Sequence, residues 1–421
     1  METGPVDNHA VDTRSDRLAG WLTRRTSSGR YIAEIDGLRF VAIAMVVLFH
    51  SRWRLADLPP QNVFDLSIAQ GRFGVELFFI ISGFILALPF AAERLAGARP
   101  VRLKAFYLRR LTRLEPPYFV VLTLYFLLGS TTHLWKLWIW SDHHDSLLPR
   151  FGAGLVYAHG FLYRGELNPI LPPTWSLEVE IQFYLLVPLL ALVFTIRRTA
   201  ARRALMFGGA MFAAILQWFM LESVGFLPPT GLLPPTLLSY LQFFLVGFLL
   251  ADVFLLDWRQ HPSQGWIWDA IGFAALLIVF IGPPPLDERI QWAHQLVLLP
   301  GLFACAFCAA FRGPKIRSLL TFRWIAIIGG MCYSIYLLHF PLMAMLAPHT
   351  AGLGGGSGAA NVIVQFLVLG GISLLVSAVF FAFVERPCMD PRWPQRFATW
   401  AGERARRMSL GRREEASETA R

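Results

Sequence analysis

Asp36-Gly-Leu-Arg39-Phe-Val-Ala-Ile-Ala-Met-Val-Val-Leu-Phe-His50 reads as a membrane-spanning helix that carries a carboxylate, a guanidinium and an imidazole. Ionisable groups are costly inside a bilayer, so their presence points to function. At 100° per residue, His50 falls within about 20° of Arg39 and about 40° of Asp36, so all three share one helix face. At 1.5 Å per residue, Arg39 and His50 lie roughly 16 Å apart. The line of polar groups thus runs from one membrane surface to the bilayer centre or past it, as expected of a buried site reached from the surface.

The rest of the chain matches that beginning. Of 421 residues, 55% are hydrophobic and 16% charged, which excludes an ordinary soluble globule. Ten apolar stretches fall near 36–52, 71–91, 115–129, 173–195, 203–221, 233–256, 266–284, 292–312, 324–347 and 360–384. They predict an all-α polytopic membrane protein with about ten transmembrane helices. Basic residues concentrate in alternate connections: Arg94 to Arg113, Arg197 to Arg203, Arg312 to Arg323, and the two ends of the chain. Short basic loops stay cytoplasmic, so both termini are expected on the cytoplasmic side of the inner membrane. The weakest link in this alternation is 257–265, where Arg259 is the one permanent cation. The same topology accounts for the net charge of +10, and no basic cluster calls for a nucleic acid. Composition divides the chain into a polar tail at 1–30, a membrane domain at 31–390 and a second polar tail at 391–421, with both tails expected to be flexible. Cys305 and Cys308 form a Cys-Ala-Phe-Cys pair inside an apolar span; they read as small packing residues, and no metal site is expected.

Several polar groups suggest chemistry. Neutral His50 is suited to act as a general base, its rival reading being a ring at headgroup depth. Arg110 and Arg113, three residues apart at the start of the third span, suit phosphate. Positive-inside topology explains the same pair equally well. With a histidine further along a buried channel, the arrangement has the shape of a coenzyme A thioester: an anionic head and a long, narrow arm. Glu178 and Glu180 lie about 200° apart on a helix, so one should face the bundle interior and the other water or a partner. The inward one would orient the imidazole, offset imidazolium charge or place the acceptor; a structural ion pair with an arginine is the alternative. The second span combines small residues with Glu76 and Ser82. Tyr336 and His339 are one turn apart in a later span, and Pro341 is expected to kink it near His339.

Together these segments resemble the acyltransferase-3 family of integral membrane acyltransferases, which includes O-antigen and exopolysaccharide O-acetylases and macrolide acyltransferases. Landmarks run in family order: Ile-Asp36-Gly-Leu-Arg39 with His50 eleven residues on, Gly74-Val-Glu-Leu-Phe-Phe-Ile-Ile-Ser82-Gly83, and Arg110-Leu-Thr-Arg113. Trp175-Ser176-Leu177 with Glu180, Phe183-Tyr184, Tyr333-Ser-Ile-Tyr336-Leu-Leu-His339 and Val384-Glu385-Arg-Pro387 follow. The resemblance implies ten helices, a cytoplasmic acyl-CoA donor, most often acetyl-CoA, and acyl transfer to a hydroxyl of a sugar-containing acceptor such as a cell-surface polysaccharide. On that basis His50, Glu180 and Asp36 are the expected catalytic residues, and Arg39, Arg110 and Arg113 the donor-binding ones. Ser82, Trp175, Tyr184, Tyr336 and His339 are expected to meet substrate. Glu178 and Ile181 depart from the family pattern and weaken the carboxylate assignment. The chain ends soon after the last apolar stretch, so a partner for onward transfer is expected to be a separate protein.

Direct transfer and a two-step route through an acyl carrier both fit these residues. The competing class is a proton-coupled transporter using the intramembrane Asp, Arg, Glu and His, although no pair of matching interrupted halves is evident. A non-catalytic scaffold would leave those residues unexplained.

Overall fold

The computed structural model describes residues 19–24, 31–53, 63–132, 146–223, 236–259, 264–282, 293–350, 352–354, 358–390, 392–396 and 399. Among them every regular element is helical. In chain order these are α1 (Ala33–Trp53), α2 (Val63–Ala69), α3 (Gly74–Ala96), α4 (Leu103–Thr132), α5 (Leu147–Leu155), α6 (His159–Leu162), α7 (Trp175–Leu190) and α8 (Thr199–Ser223). There follow α9 (Leu241–Val253), α10 (Trp266–Ile281), α11 (Leu299–Arg312), α12 (Pro314–Leu320), α13 (Arg323–Gly330), α14 (Cys332–Thr350), α15 (Gly358–Phe380) and α16 (Arg386–Cys388). Most of the proposed tails, at 1–18, 25–30 and 400–421, lies outside the described residues.

Helix α1 is apolar around most of its circumference and is accordingly packed on several sides, against α3, α13, α14 and α15. This central position turns Asp36, Arg39 and His50 toward protein. Seven described helices are long and apolar enough to cross a membrane, and the bent α13–α14 pair makes an eighth. Two more helices coincide with predicted stretches: α1, which carries Glu34, Asp36, Arg39 and Arg52, and α10, which has 16 residues. Each of the ten apolar stretches therefore meets a helix or a bent pair. The third starts earlier than expected, since α4 begins at Leu103 and holds Arg110 and Arg113 within the helix rather than at its mouth.

Small residues bring the helices together. A Cβ on Gly83 of α3 would strike the Phe244 carbonyl, and one on Gly247 of α9 would strike that of Ile80, so this crossing admits only hydrogen at both positions. A side chain on Gly329 would collide with the Asp36 carbonyl, which fixes α13 against α1. The sharp bend also lies here: α13 and α14 meet at 68° around Met331, whereas α14 continues as one helix through Pro341. The sharp bend at the Gly329–Gly330 end, where close packing on α1 sets the direction of the chain, is a feature that the sequence reading did not include.

The described part of the α4–α7 connection, residues 146–171, packs on the start of α7 through Glu178, whose carboxylate accepts from the backbone N–H of His159 at 3.1 Å and of Gly160 at 2.8 Å. Glu178 therefore meets neither water nor a cavity; it holds this segment down. The His159 ring is buried, stacks on Tyr163 at 4.5 Å, and is held near a pKa of about 4, below the usual 6.5, mainly by burial and secondly by Arg150. Unfolding this segment would let His159 take a proton, so its stabilisation is whole above pH 6.5 and declines as the pH falls toward 4, by up to ~3 kcal/mol. Protection factors across 146–171, corrected for the intrinsic pH dependence of amide exchange, should fall between pH 7 and pH 5 in the wild type and much less in His159→Gln. Equal protection at both pH values would refute this.

Candidate active site

Asp36 is completely buried, and its two oxygens are committed. Arg39 bonds Oδ1 from one turn along α1 at 2.9 Å, and Arg24 lies 2.9 Å from Oδ2. Arg24 comes from the segment at 19–24, which is docked rather than free: Arg386 donates to the carbonyls of Gly20 and Thr23, and Ala19 is buried. Burial, and next the nearby Arg39, pull the Arg24 pKa down to about 10, which leaves it charged at neutral pH.

Other cations gather at the same end of α1. Arg113 acts electrostatically on Arg24, Arg110 and Glu385. Its Nε is buried without a hydrogen-bond partner. The Arg110 guanidinium lies 4.3 Å from the Phe106 ring centre and 5.4 Å from that of Tyr184. The facing carboxylates are Glu180 and Glu385. Ser82 and Tyr184 donate to one oxygen of Glu180 at 2.6 and 2.5 Å, and Glu180 acts on both Arg110 and Arg39. Glu385, in a widened turn between α15 and α16, accepts from the Ser334 N–H at 3.1 Å and hydroxyl at 2.5 Å. Four guanidinium groups thus converge with three carboxylates, in a low-dielectric setting that favours an added anion.

His50 stands at the other end of α1, where its Nδ1 is 3.0 Å from the Val46 carbonyl and 3.1 Å from Nε2 of His339. His339 is fully buried, and its own Nδ1 faces the carbonyls of Ile335 at 3.0 Å and Tyr336 at 2.8 Å. Carbonyls only accept, so His339 carries its proton on Nδ1 and presents a lone pair at Nε2. His50 Nδ1 then faces two acceptors and must be the protonated nitrogen, which puts the basic lone pair of the neutral ring on Nε2. One histidine is therefore oriented by another. Phe49 and Phe340 flank the His50 ring edge-on, each at 5.0 Å.

This geometry redistributes the expected roles. Asp36 lies about 21 Å along α1 from His50 and anchors arginines instead of touching the imidazole. Glu180 sits with the arginines through Tyr184 and Arg110, and the group placed on His50 is His339, which was expected to bind substrate. Tyr336 lies between the two regions: its hydroxyl is 2.6 Å from Ser176 Oγ and donates to the Pro173 carbonyl at 2.8 Å, and its ring is 5.8 Å from His339. Trp175 packs on Tyr240 and Phe79. Sequence reasoning missed Arg24, because an arginine in a polar tail resembles any other, and gave Glu385 no role although it stands in a recognised motif.

A polytopic helical membrane protein with buried cations at one end of a central helix and a paired imidazole at the other is the class defined by fold and site. The acyltransferase domain family matches residues 32–382, and the chain belongs to that family, known as acyltransferase-3. The O-acetyltransferase OatA of Staphylococcus aureus (strain NCTC 8325 / PS 47) is 24% identical over 390 residues, covering 86% of this chain and 57% of its own length. A protein of S. aureus strain COL, provisionally named an O-acetyltransferase, is 24% identical over 377 residues, 85% of this chain and 57% of its own. BcsY of Komagataeibacter xylinus, provisionally named a membrane-bound transacylase, is 26% identical over 380 residues, 85% of this chain and 83% of its own. The chain thus spans little more than half the length of the staphylococcal relatives. No solved structure matches it. The transporter alternative gains no support from these relatives.

Proposed function

We propose that this protein is a membrane O-acyltransferase of the inner membrane that moves an acyl group, most simply acetyl, from cytoplasmic acyl-CoA to a hydroxyl of a sugar-containing acceptor. The observation that carries this reading is α1 itself: Asp36 and Arg39 in an arginine cluster at one end, and His50, oriented by His339, roughly 16 Å from Arg39 along the same face. The names of the relatives, O-acetyltransferase and transacylase, agree with it.

In this reading Arg39, Arg110 and Arg113 hold the phosphates of the donor, with Arg24 behind them. The thioester lies toward His50. Nε2 of His50 accepts the proton of the acceptor hydroxyl as its oxygen attacks the thioester carbon. The C–S bond breaks, the sulfur takes up that proton from the imidazolium, and an ester and free coenzyme A result. The imidazolium is stabilised while it lasts by a strengthened Nδ1–H···Nε2 bond to His339. A two-step route, with the acyl group resting first on a carrier, uses the same groups.

Coenzyme A binding to protein purified in detergent, followed by titration calorimetry, tests the donor half. Each charge-assisted contact contributes about 1.5–3 kcal/mol, so Arg110→Ala/Arg113→Ala should weaken binding by about 100-fold or more. Wild-type protein that ignores coenzyme A would overturn the donor assignment.

A further inference from the structure

Near Tyr336 lies a group of residues that the acyl-transfer chemistry does not use. Glu76 of α3 is half-buried, and its Oε2 is shut off from solvent without a hydrogen-bond partner. Arg72, one turn earlier, acts on Glu76 and on Tyr240. It also acts on His294, which is 6% exposed and has both ring nitrogens unpartnered. Glu76 in turn acts on Tyr240 and Tyr336. Three aromatic rings adjoin these groups: Tyr240 stands 5.0 Å from Phe79 and 5.4 Å from Trp175, and Phe79 is 6.3 Å from Trp175.

Buried polar atoms without partners are rare and destabilising, and a concave apolar wall with a few convergent polar groups is the usual form of a small-molecule site. The polar groups narrow the ligand. Arg72 is exposed and lies over the Phe73 ring at 4.7 Å, so Glu76 and His294 are the groups left to meet a ligand, and they offer hydrogen-bonding atoms rather than a surplus charge. A neutral ligand with several donor hydroxyls and an apolar face satisfies every group: hydroxyls donate to Glu76 and to His294, and ring C–H bonds lie on Trp175 or Tyr240. A pyranose has those properties.

We propose that Glu76, Tyr240 and Trp175, with Arg72 and His294 beside them, form the acceptor subsite and bind a neutral sugar ring. The proposal rests on the acyl-transfer reading for its purpose but not for its detection. Tyr336 connects the subsite to the chemistry, because it feels Glu76 while its ring lies 5.8 Å from His339. In the proposal, a hydroxyl held at this subsite would meet the His50–His339 pair across Tyr336.

Saturation-transfer NMR on the full chain in detergent, with cellotetraose and chitotetraose as probes, tests the subsite directly. Wild-type protein and Arg110→Ala/Arg113→Ala should both transfer saturation to the ring protons of at least one probe. Glu76→Gln and Trp175→Leu should reduce that transfer at least tenfold while keeping wild-type affinity for coenzyme A, which establishes that they are folded. Tyr240→Phe, which removes one hydroxyl, should fall between. No transfer to either probe, or equal transfer in wild type and Glu76→Gln, would overturn the proposal. Wild-type protein that binds coenzyme A but transfers saturation to neither probe strikes the subsite alone. Sugar binding without any coenzyme A binding supports the subsite and strikes the donor assignment.

Discussion

His50→Ala is expected to lower turnover of acetyl-CoA with acceptor by about 10²–10⁴-fold, the usual contribution of a positioned general base, while leaving coenzyme A affinity within about twofold. The separation of effects follows from the geometry, since the arginine cluster lies at the far end of α1 and makes no use of the imidazole. His339→Phe should cost less than His50→Ala. It removes the acceptor at 3.1 Å that fixes the tautomer and steadies the imidazolium, but the Val46 carbonyl still accepts from Nδ1 at 3.0 Å. The two variants combined should be little worse than His50→Ala alone, because residues acting as a unit are not additive. Coenzyme A release, measured in single and double variants against pH, checks this. Turnover surviving the loss of His50 would remove the general base from the mechanism.

Asp36→Ala is expected to have the largest effect on stability. Both Arg24 and Arg39 face Asp36 at 2.9 Å, and its side chain is 1% exposed. Deleting one member of a buried ionic group typically costs about 3–5 kcal/mol, because the charges left behind are neither solvated nor paired. Thermal unfolding in detergent should show a markedly lower midpoint, and 19–24 should become open to proteolysis as Arg24 loses its anchor. Adding Arg24→Gln to Asp36→Asn should recover part of the loss, since fewer charges are then stranded. A melting midpoint equal to wild type would mean that the pairing contributes nothing.

The sequence and the structure agree where a residue's meaning is local. Asp36, Arg39 and His50 were legible as a group because helical periodicity puts them on one face and hydrophobic surroundings make them conspicuous; Arg110 and Arg113 were legible as a pair one turn apart, which positive-inside topology explained equally well. The apolar stretches met their helices because hydrophobic length is itself a local property. Three-dimensional convergence was not legible. The separation of His50 from His339 along the chain is 289 residues, and nothing in either segment announces the other. Arg24 acquires its role from packing beside Gly330 and Asp36, which a polar, arginine-rich stretch conceals. The bend at Met331 escaped because Pro341 is the louder local signal, while the crowding of Gly329 on α1 is a tertiary fact.

Helix α7 carries Trp175 at its start and Tyr184 two and a half turns later, a rise of about 13.5 Å on one rigid rod. Trp175 belongs to the aromatic group around Tyr240, and Tyr184 leans on Arg110. If donor and acceptor are gripped at those two places, their spacing is set by hydrogen-bonded backbone and not by an adaptable loop. Two and a half turns also put the two grips on opposite faces of the rod, so the helix works as a ruler: a donor whose arm is too short to pass it cannot bring its thioester to the acceptor, whatever its charge. Shortened analogues of coenzyme A that keep the phosphates should accordingly bind as inhibitors rather than react.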